Sequence, residues 1–257
     1  MQMDMTLGEY INNPMGVKNS VFSHREIYRS MYAEKLDKLY LRENGNIAFT
    51  VYKKSTKEYL IHFKIPSESA EQVYYDTVLQ FIAPGTEQEL EDTIENYTVK
   101  FFSNDPSFVF TFAYAFMKKD LFIKDLKTKL SKYTRETPAS VRNPENQVSY
   151  VKSFYFAYLI MLNKNMFLKV RLDSVAENYS KGKLLSEVMN SDEKIEQVNE
   201  GKKDKKKPKK APELPEDSST TETNKNVKKS KQVPLISKTG TVKSVKRTKQ
   251  IGRVKKI

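Results

Sequence analysis

The sequence predicts an α+β domain. An antiparallel sheet of about four strands within residues 47–102 packs with N-terminal and C-terminal helices, and a disordered basic tail follows. Three observations carry this reading. Apolar spacing switches from a helical period to a period of two after Asn44-Gly45-Asn46, then returns to helical spacing after Asp105-Pro106. All 15 Tyr and 14 Phe lie before residue 201. The segment Gly201–Ile257 holds 19 Lys+Arg against 5 Asp+Glu, leaving 26 and 27 for residues 1–200. The net charge of +13 therefore sits on the tail, and the aromatic-rich part is close to neutral. A segment without aromatics cannot offset its chain entropy by burial. The predicted organisation is an N-terminal segment (1–20), a globular α+β domain (21–200) and a disordered Lys-rich tail (201–257).

The elements follow in order. Leu7–Ile11 reads as a short helix stopped by Asn12-Asn13-Pro14, because proline disfavours helical geometry at the residue before it. Ser23 and Glu26 form a capping box, with Phe22 and Ile27 as a hydrophobic staple. A helix then runs from Ile27 to about Leu41 and ends at Asn44-Gly45-Asn46. Ile47, Phe49 and Val51 alternate, as do Tyr59, Ile61, Phe63 and Ile65 beyond a Lys53–Lys57 turn. This pattern predicts a hairpin with one buried face. Val73–Ile82 and Thr93–Phe102 are the third and fourth strands, in a meander. Asp105-Pro106 is an N-cap with proline at the first helical position. Phe108–Met117 predicts a deeply packed helix, with a strand as the alternative. Leu121–Leu130 is amphipathic, Glu145–Asn163 is the most apolar helix, and Leu168–Tyr179 and Lys183–Val198 read as two shorter helices, the last poorly buried.

Chemical motifs are sparse. With no cysteine, the sequence offers no disulfide, thiolate zinc site or cysteine nucleophile. His24 and His62 lack a metal-ligand pattern and predict ordinary surface or half-buried roles; His62 falls on the strand face opposite the apolar one. Neither a phosphate-binding glycine loop nor a nucleophile elbow is present, so the reading is a non-enzymatic protein without cofactor or metal. The acidic run Glu87–Glu95 lacks the spacing of a calcium loop; it reads as a solvated loop or a dock for a basic tail. Tyr28, Tyr32, Tyr40, Tyr52, Tyr59, Tyr74 and Tyr75 cluster near the first helix and the sheet. Each reads singly as half-buried packing, and together as a protein contact. The N-terminus lacks the basic and apolar regions of a secretory signal, and the longest apolar stretches are too short to span a bilayer.

The strongest functional signal is the tail. Its cations are Lys205, Lys206, Lys207, Lys209, Lys210, Lys228, Lys229, Lys246, Arg247, Lys249, Arg253, Lys255 and Lys256 among others, predicted to meet nucleic acid or an acidic partner. Lysine clusters attract phosphate backbones without sequence preference. The missing aromatics exclude base stacking by the tail. Val242, Val245, Ile251, Val254 and Ile257 punctuate its basic end, which suits ordering on a partner.

The opening Met5-Thr6-Leu7-Gly8-Glu9-Tyr10-Ile11-Asn12-Asn13-Pro14-Met15-Gly16 resembles the start of structural proteins of tailed bacteriophages, particularly gut phages. Val141-Arg142-Asn143-Pro144 and the Lys-rich, Val/Ile-punctuated ending resemble them too. The resemblance implies a virion protein of the head or head–tail connector region, present in the host cytoplasm during assembly. It would contact other virion proteins and its own copies, with no membrane partner. No catalytic or binding residue is carried over. The competing reading is a nucleic-acid-binding protein with a sequence-nonspecific basic tail.

Overall fold

A computed structural model describes residues 5–12, 25–85, 92–148 and 151–204. The first helix, α1 (Leu7–Asn12), opens with a capping box that the sequence shows as Thr6-Leu7-Gly8-Glu9. The Thr6 amide donates to Glu9 Oε2 at 2.7 Å, and the Glu9 amide donates to Thr6 Oγ1 at 3.3 Å. The long helix α2 (Arg25–Arg42) ends as expected. Asn44 and Gly45 take positive φ, 52° and 76°, and the Gly45 amide donates to the Tyr40 carbonyl at 2.7 Å. The expected cap at Phe22 and Ser23 lies outside the described residues.

Four antiparallel strands follow: β1 (Phe49–Ser55), β2 (Glu58–Pro66), β3 (Tyr74–Ile82) and β4 (Thr98–Ser103). The third and fourth match the predicted meander, though Thr93 makes only an isolated bridge to Leu168. A fifth strand, β5 (Ala176–Asn178), pairs parallel to β1, giving the order β4-β3-β2-β1-β5 and a mixed sheet. Ala-Glu-Asn carries no strand pattern. The otherwise unpaired edge of β1 offers a ladder to Ala176–Asn178, so α7 (Lys169–Val175) stops where that pairing begins, short of the helix predicted over 168–179.

The hairpin was expected to bury one face; it buries both. Phe101 and Phe102 are consecutive in β4, point to opposite faces, and are both fully buried. Phe101 packs edge-on to Phe108 at 4.9 Å and against Phe154 at 5.0 Å. These rings belong to α3 (Pro106–Thr111) and α6 (Lys152–Asn163), and α6 lies across β2, β3 and β4 with α2 packed on it. Phe102 meets Phe122 edge-on at 5.8 Å on the other face, where Tyr52 also meets Tyr179. Such aromatic pairs add about 0.5–1.5 kcal/mol beyond the area they bury.

Four helix predictions change in detail. The α3 helix begins as read, with the Asp105 side chain accepting from the Ser107 amide and Pro106 at its start. The predicted Phe108–Met117 helix breaks at Phe112, where φ is −117°, and resumes as α4 (Ala113–Lys118). Leu121–Leu130 is only partly helical. The Phe101 amide donates to the Leu121 carbonyl at 2.9 Å, and the Ile123 amide donates back to Phe101. A 3-10 helix (Lys124–Lys129) and α5 (Lys132–Glu136) then follow. The Glu145–Asn163 helix starts late, at Lys152, because the Asn143 side chain accepts the Gln147 amide and Asn146 turns through positive φ. Lys183–Val198 is split between α8 (Lys181–Glu187) and α9 (Ser191–Asp204). The last helix buries Ser191, Lys194 and Val198 and continues four residues past the domain boundary drawn at 200. Among the described residues no helix is long and apolar enough to cross a membrane, and no three His, Asp or Glu side chains are placed to hold a metal ion.

Candidate functional site

The sequence-predicted tail residues, Lys205 through Lys256, lie outside the described residues, as do His24 and residues 86–91 of the acidic run. Asp92 lies within them, and its carbonyl accepts the Lys169 amide at 2.8 Å. The tyrosine cluster divides, the side chain of Tyr28 lying outside the described residues. Tyr32, Tyr52, Tyr59 and Tyr75 are buried, whereas Tyr40 and Tyr74 are half-buried. Their burial removes the contact reading for most of that set. The exposed tyrosine among the described residues is Tyr133, at 68%.

His62 is the largest correction. It is 1% exposed, because the second sheet face is covered by the Leu121–Leu130 segment and the C-terminal helices. Its Nε2 lies 3.0 Å from Asp76 Oδ1 on the neighbouring strand. Asn104 Nδ2 and the Met189 amide donate to Asp76 Oδ2 at 2.9 and 3.2 Å. The Asp76 amide donates to Asn104 Oδ1 at 2.8 Å. On the other ring nitrogen, Nδ1 is 3.6 Å from Glu187 Oε2, the same oxygen that accepts the Tyr52 hydroxyl. Burial alone would raise the Asp76 carboxyl; the His62 hydrogen bond and charge, Lys194 and the Met189 amide outweigh it and hold the group below the usual carboxylate range. Being ionised, the carboxylate only accepts, so Nε2 of His62 carries the hydrogen. Lys194 on α9 is buried beside it, and burial lowers its pKa. The cluster thus ties β2 and β3 to the α8–α9 region through buried, charge-assisted bonds. Only the His62 residue was visible in the sequence as a candidate; its partners are 14 and 125 positions away along the chain, counted to Asp76 and Glu187, and no local spacing announces them.

Among the described residues, exposed apolar side chains gather in two regions. One lies where α6 ends and α7 begins: Leu162 is 50% exposed, Val170 75%, and Leu168 and Val175 are also open. The Phe167 carbonyl accepts the Ile94 amide at 2.9 Å, which fixes this turn against 92–94. A hollow of about 600 Å³ is lined by Leu168, Val170, Arg171 and Ser174 among others. A cleft of about 430 Å³ is lined by Leu7, Tyr158, Leu162 and Phe167, with Glu9 and Glu95 supplying acid. The adjacent pairs Leu162/Asn163 and Phe167/Leu168 split between cleft and hollow, so the two share a wall. The second region surrounds Phe110, Tyr133 and Val141. Apolar side chains grouped in this way mark interaction surfaces more often than catalytic ones. No protein-family model, no curated protein and no solved structure matches the chain.

Proposed function

We propose that the chain is a non-enzymatic structural or assembly protein of a tailed-phage virion, in the head or head–tail connector region. It works by contacts with other virion proteins and its own copies, and its basic tail reaches DNA or acidic partners. The observation that carries the reading is the exposed apolar surface of Leu162, Leu168, Val170 and Val175, set beside a cleft and a hollow in the same wall. The virion setting rests on the resemblance of Met5–Gly16 and Val141–Pro144. The segregation of positive charge into the tail adds a device for polyanions that is separable from the contact surface.

The test is the mass of the full chain in solution, by sedimentation velocity, for the wild type and for Leu168→Glu combined with Val170→Glu. The wild type is expected to form a defined oligomer that the double variant loses without a change in its circular dichroism. A double variant that keeps the wild-type mass removes this surface as an assembly contact. The alternative, a nucleic-acid-binding protein, is favoured by the tail charge alone. A chain ending at Asp204, where α9 ends, separates the two readings. Under the assembly reading it keeps its mass and loses the salt-steep DNA contact; sequence-preferring DNA binding by that shortened chain would favour the alternative.

A further inference from the structure

We propose that the folded domain itself carries a groove for single-stranded nucleic acid, formed by α3, α5 and the loop that follows α5. The groove is about 200 Å³ and is lined by Phe110, Tyr133, Thr137, Ser140, Val141 and Arg142 among others, with no carboxylate in its wall. Tyr133 and Val141 stand out at 68% and 90% exposure, and Phe110 at 43%. Arg142 lines the groove and is exposed, α5 carries the exposed Lys132 and the half-buried Arg135, and the turn before α5 carries the exposed Lys127 and the half-buried Lys129. Between 127 and 142 the one acid is Glu136. The acids just before, Asp120 and Asp125, are already paired, Asp120 with Lys100 and Lys124 and Asp125 with Lys181. The domain is near neutral as a whole, so this concentration of positive charge is local.

The groove is also braced. Asn143 is buried and donates from Nδ2 to the Thr111 carbonyl at 3.1 Å and the Gln147 carbonyl at 2.8 Å, pinning the loop to α3. Ser131 caps α5, accepting from the Thr134 amide at 3.2 Å, and Arg135 donates to the Lys127 carbonyl at 3.3 Å. Its volume is below the range of about 300–1,000 Å³ typical of small-molecule pockets, and suits one flat group at a time. Exposed aromatic side chains on elements that also carry cations are the combination that stacks unpaired bases while holding their phosphates. A duplex keeps its bases stacked on one another and offers none to Phe110 or Tyr133. The tail has the charge for phosphate but no ring to stack, and the groove supplies the missing half. This inference does not rest on the assembly reading.

The test uses the full chain and fluorescence anisotropy with labelled oligothymidylate and a duplex of equal length across a salt series. The tail is present throughout, so its contribution is common to all variants. Tyr133→Ala and Phe110→Ala are each expected to weaken oligothymidylate roughly 5- to 150-fold per stacked base lost, leaving the duplex unchanged. Tyr133→Phe keeps the ring and the wild-type affinity. Lys132→Ala with Arg142→Ala is expected to make the slope of log K against log[salt] shallower by about 1.4. Oligothymidylate affinity within twofold of wild type for both aromatic variants overturns the proposal. So does an equal loss for single strand and duplex, which assigns all binding to charge. Unchanged affinity with a fall in oligomer mass makes the groove a protein contact instead.

Discussion

Replacing Asp76 by alanine tests the claim that the buried polar cluster holds the C-terminal helices to the sheet. The substitution removes an acceptor from three donors, His62 Nε2, Asn104 Nδ2 and the Met189 amide, bonded at 3.0, 2.9 and 3.2 Å, of which Asn104 keeps the Met189 carbonyl at 3.4 Å. It also removes a carboxylate whose charge favours the buried Lys194 ammonium. A buried donor left unsatisfied costs about 1–3 kcal/mol. Entry of water into the gap relieves part of the sum, so the expected loss is about 3–5 kcal/mol, or on the order of 6–20 °C in Tm. The assay is urea unfolding followed by circular dichroism and tyrosine fluorescence, repeated between pH 3 and 8. The folded Asp76 carboxyl is held below its unfolded value. Its stabilisation is therefore complete above the unfolded pKa of about 3.9 and is lost as pH falls through the folded value. Asp76→Asn retains the side-chain shape and one acceptor oxygen. It should cost less than alanine and flatten the acid limb relative to wild type. An alanine variant within about 0.5 kcal/mol of wild type, the range of ordinary surface substitutions, would refute the reasoning.

Two further outcomes follow from the same geometry. Lys152, half-buried at the start of α6, lies 2.9 Å from Glu68 Oε1 and 3.4 Å from Asp105 Oδ2. Burial lowers its pKa, but Asp105 and Glu68 outweigh burial and raise it, so its stabilisation is present below about pH 10.4 and is lost as pH rises through the folded value. Lys152→Ala is expected to cost about 2 kcal/mol at neutral pH in urea unfolding and to remove that alkaline component. The Tyr10 ring packs against Phe116 and Phe154, and its buried hydroxyl has no hydrogen-bond partner among the described residues. Tyr10→Phe should therefore raise stability by about 1 kcal/mol in thermal unfolding, and a loss of stability would show that the hydroxyl is bonded after all.

The local signals in the sequence held where the chain decides its own conformation. Asp105-Pro106 starts α3, Asn44-Gly45 ends α2, and the period-two runs of β1 and β2 pair in the register that puts Val51 opposite Ile61. They failed where a distant partner outbid local preference. Leu121–Ile123 joins the edge of β4 instead of starting a helix, and Ala176–Asn178 becomes a strand only because β1 lies beside it. The candidate site was legible to the same degree. His62 could be noted, but its burial required knowing that α8, α9 and the Leu121–Leu130 segment fold over the face that alternation had assigned to solvent. The groove of Phe110, Tyr133 and Arg142 joins residues up to 32 positions apart, and its bracing through Asn143 spans the same gap to Thr111.

By itself, the sequence determined the α+β class, the four antiparallel strands, and the division between an aromatic, near-neutral domain and a cationic tail. These follow from periodicity, turn chemistry and composition, which are properties of short windows and of sums over the chain. Only the tertiary structure decided that the sheet is covered on both faces, that it gains a parallel fifth strand, and that His62 and Asp76 are buried together under the C-terminal helices. The physical reason is the same for all three. A strand edge or a sheet face is satisfied by whatever backbone or side chain reaches it, and that partner is chosen by the packing of the whole domain rather than by the residues next to it in sequence.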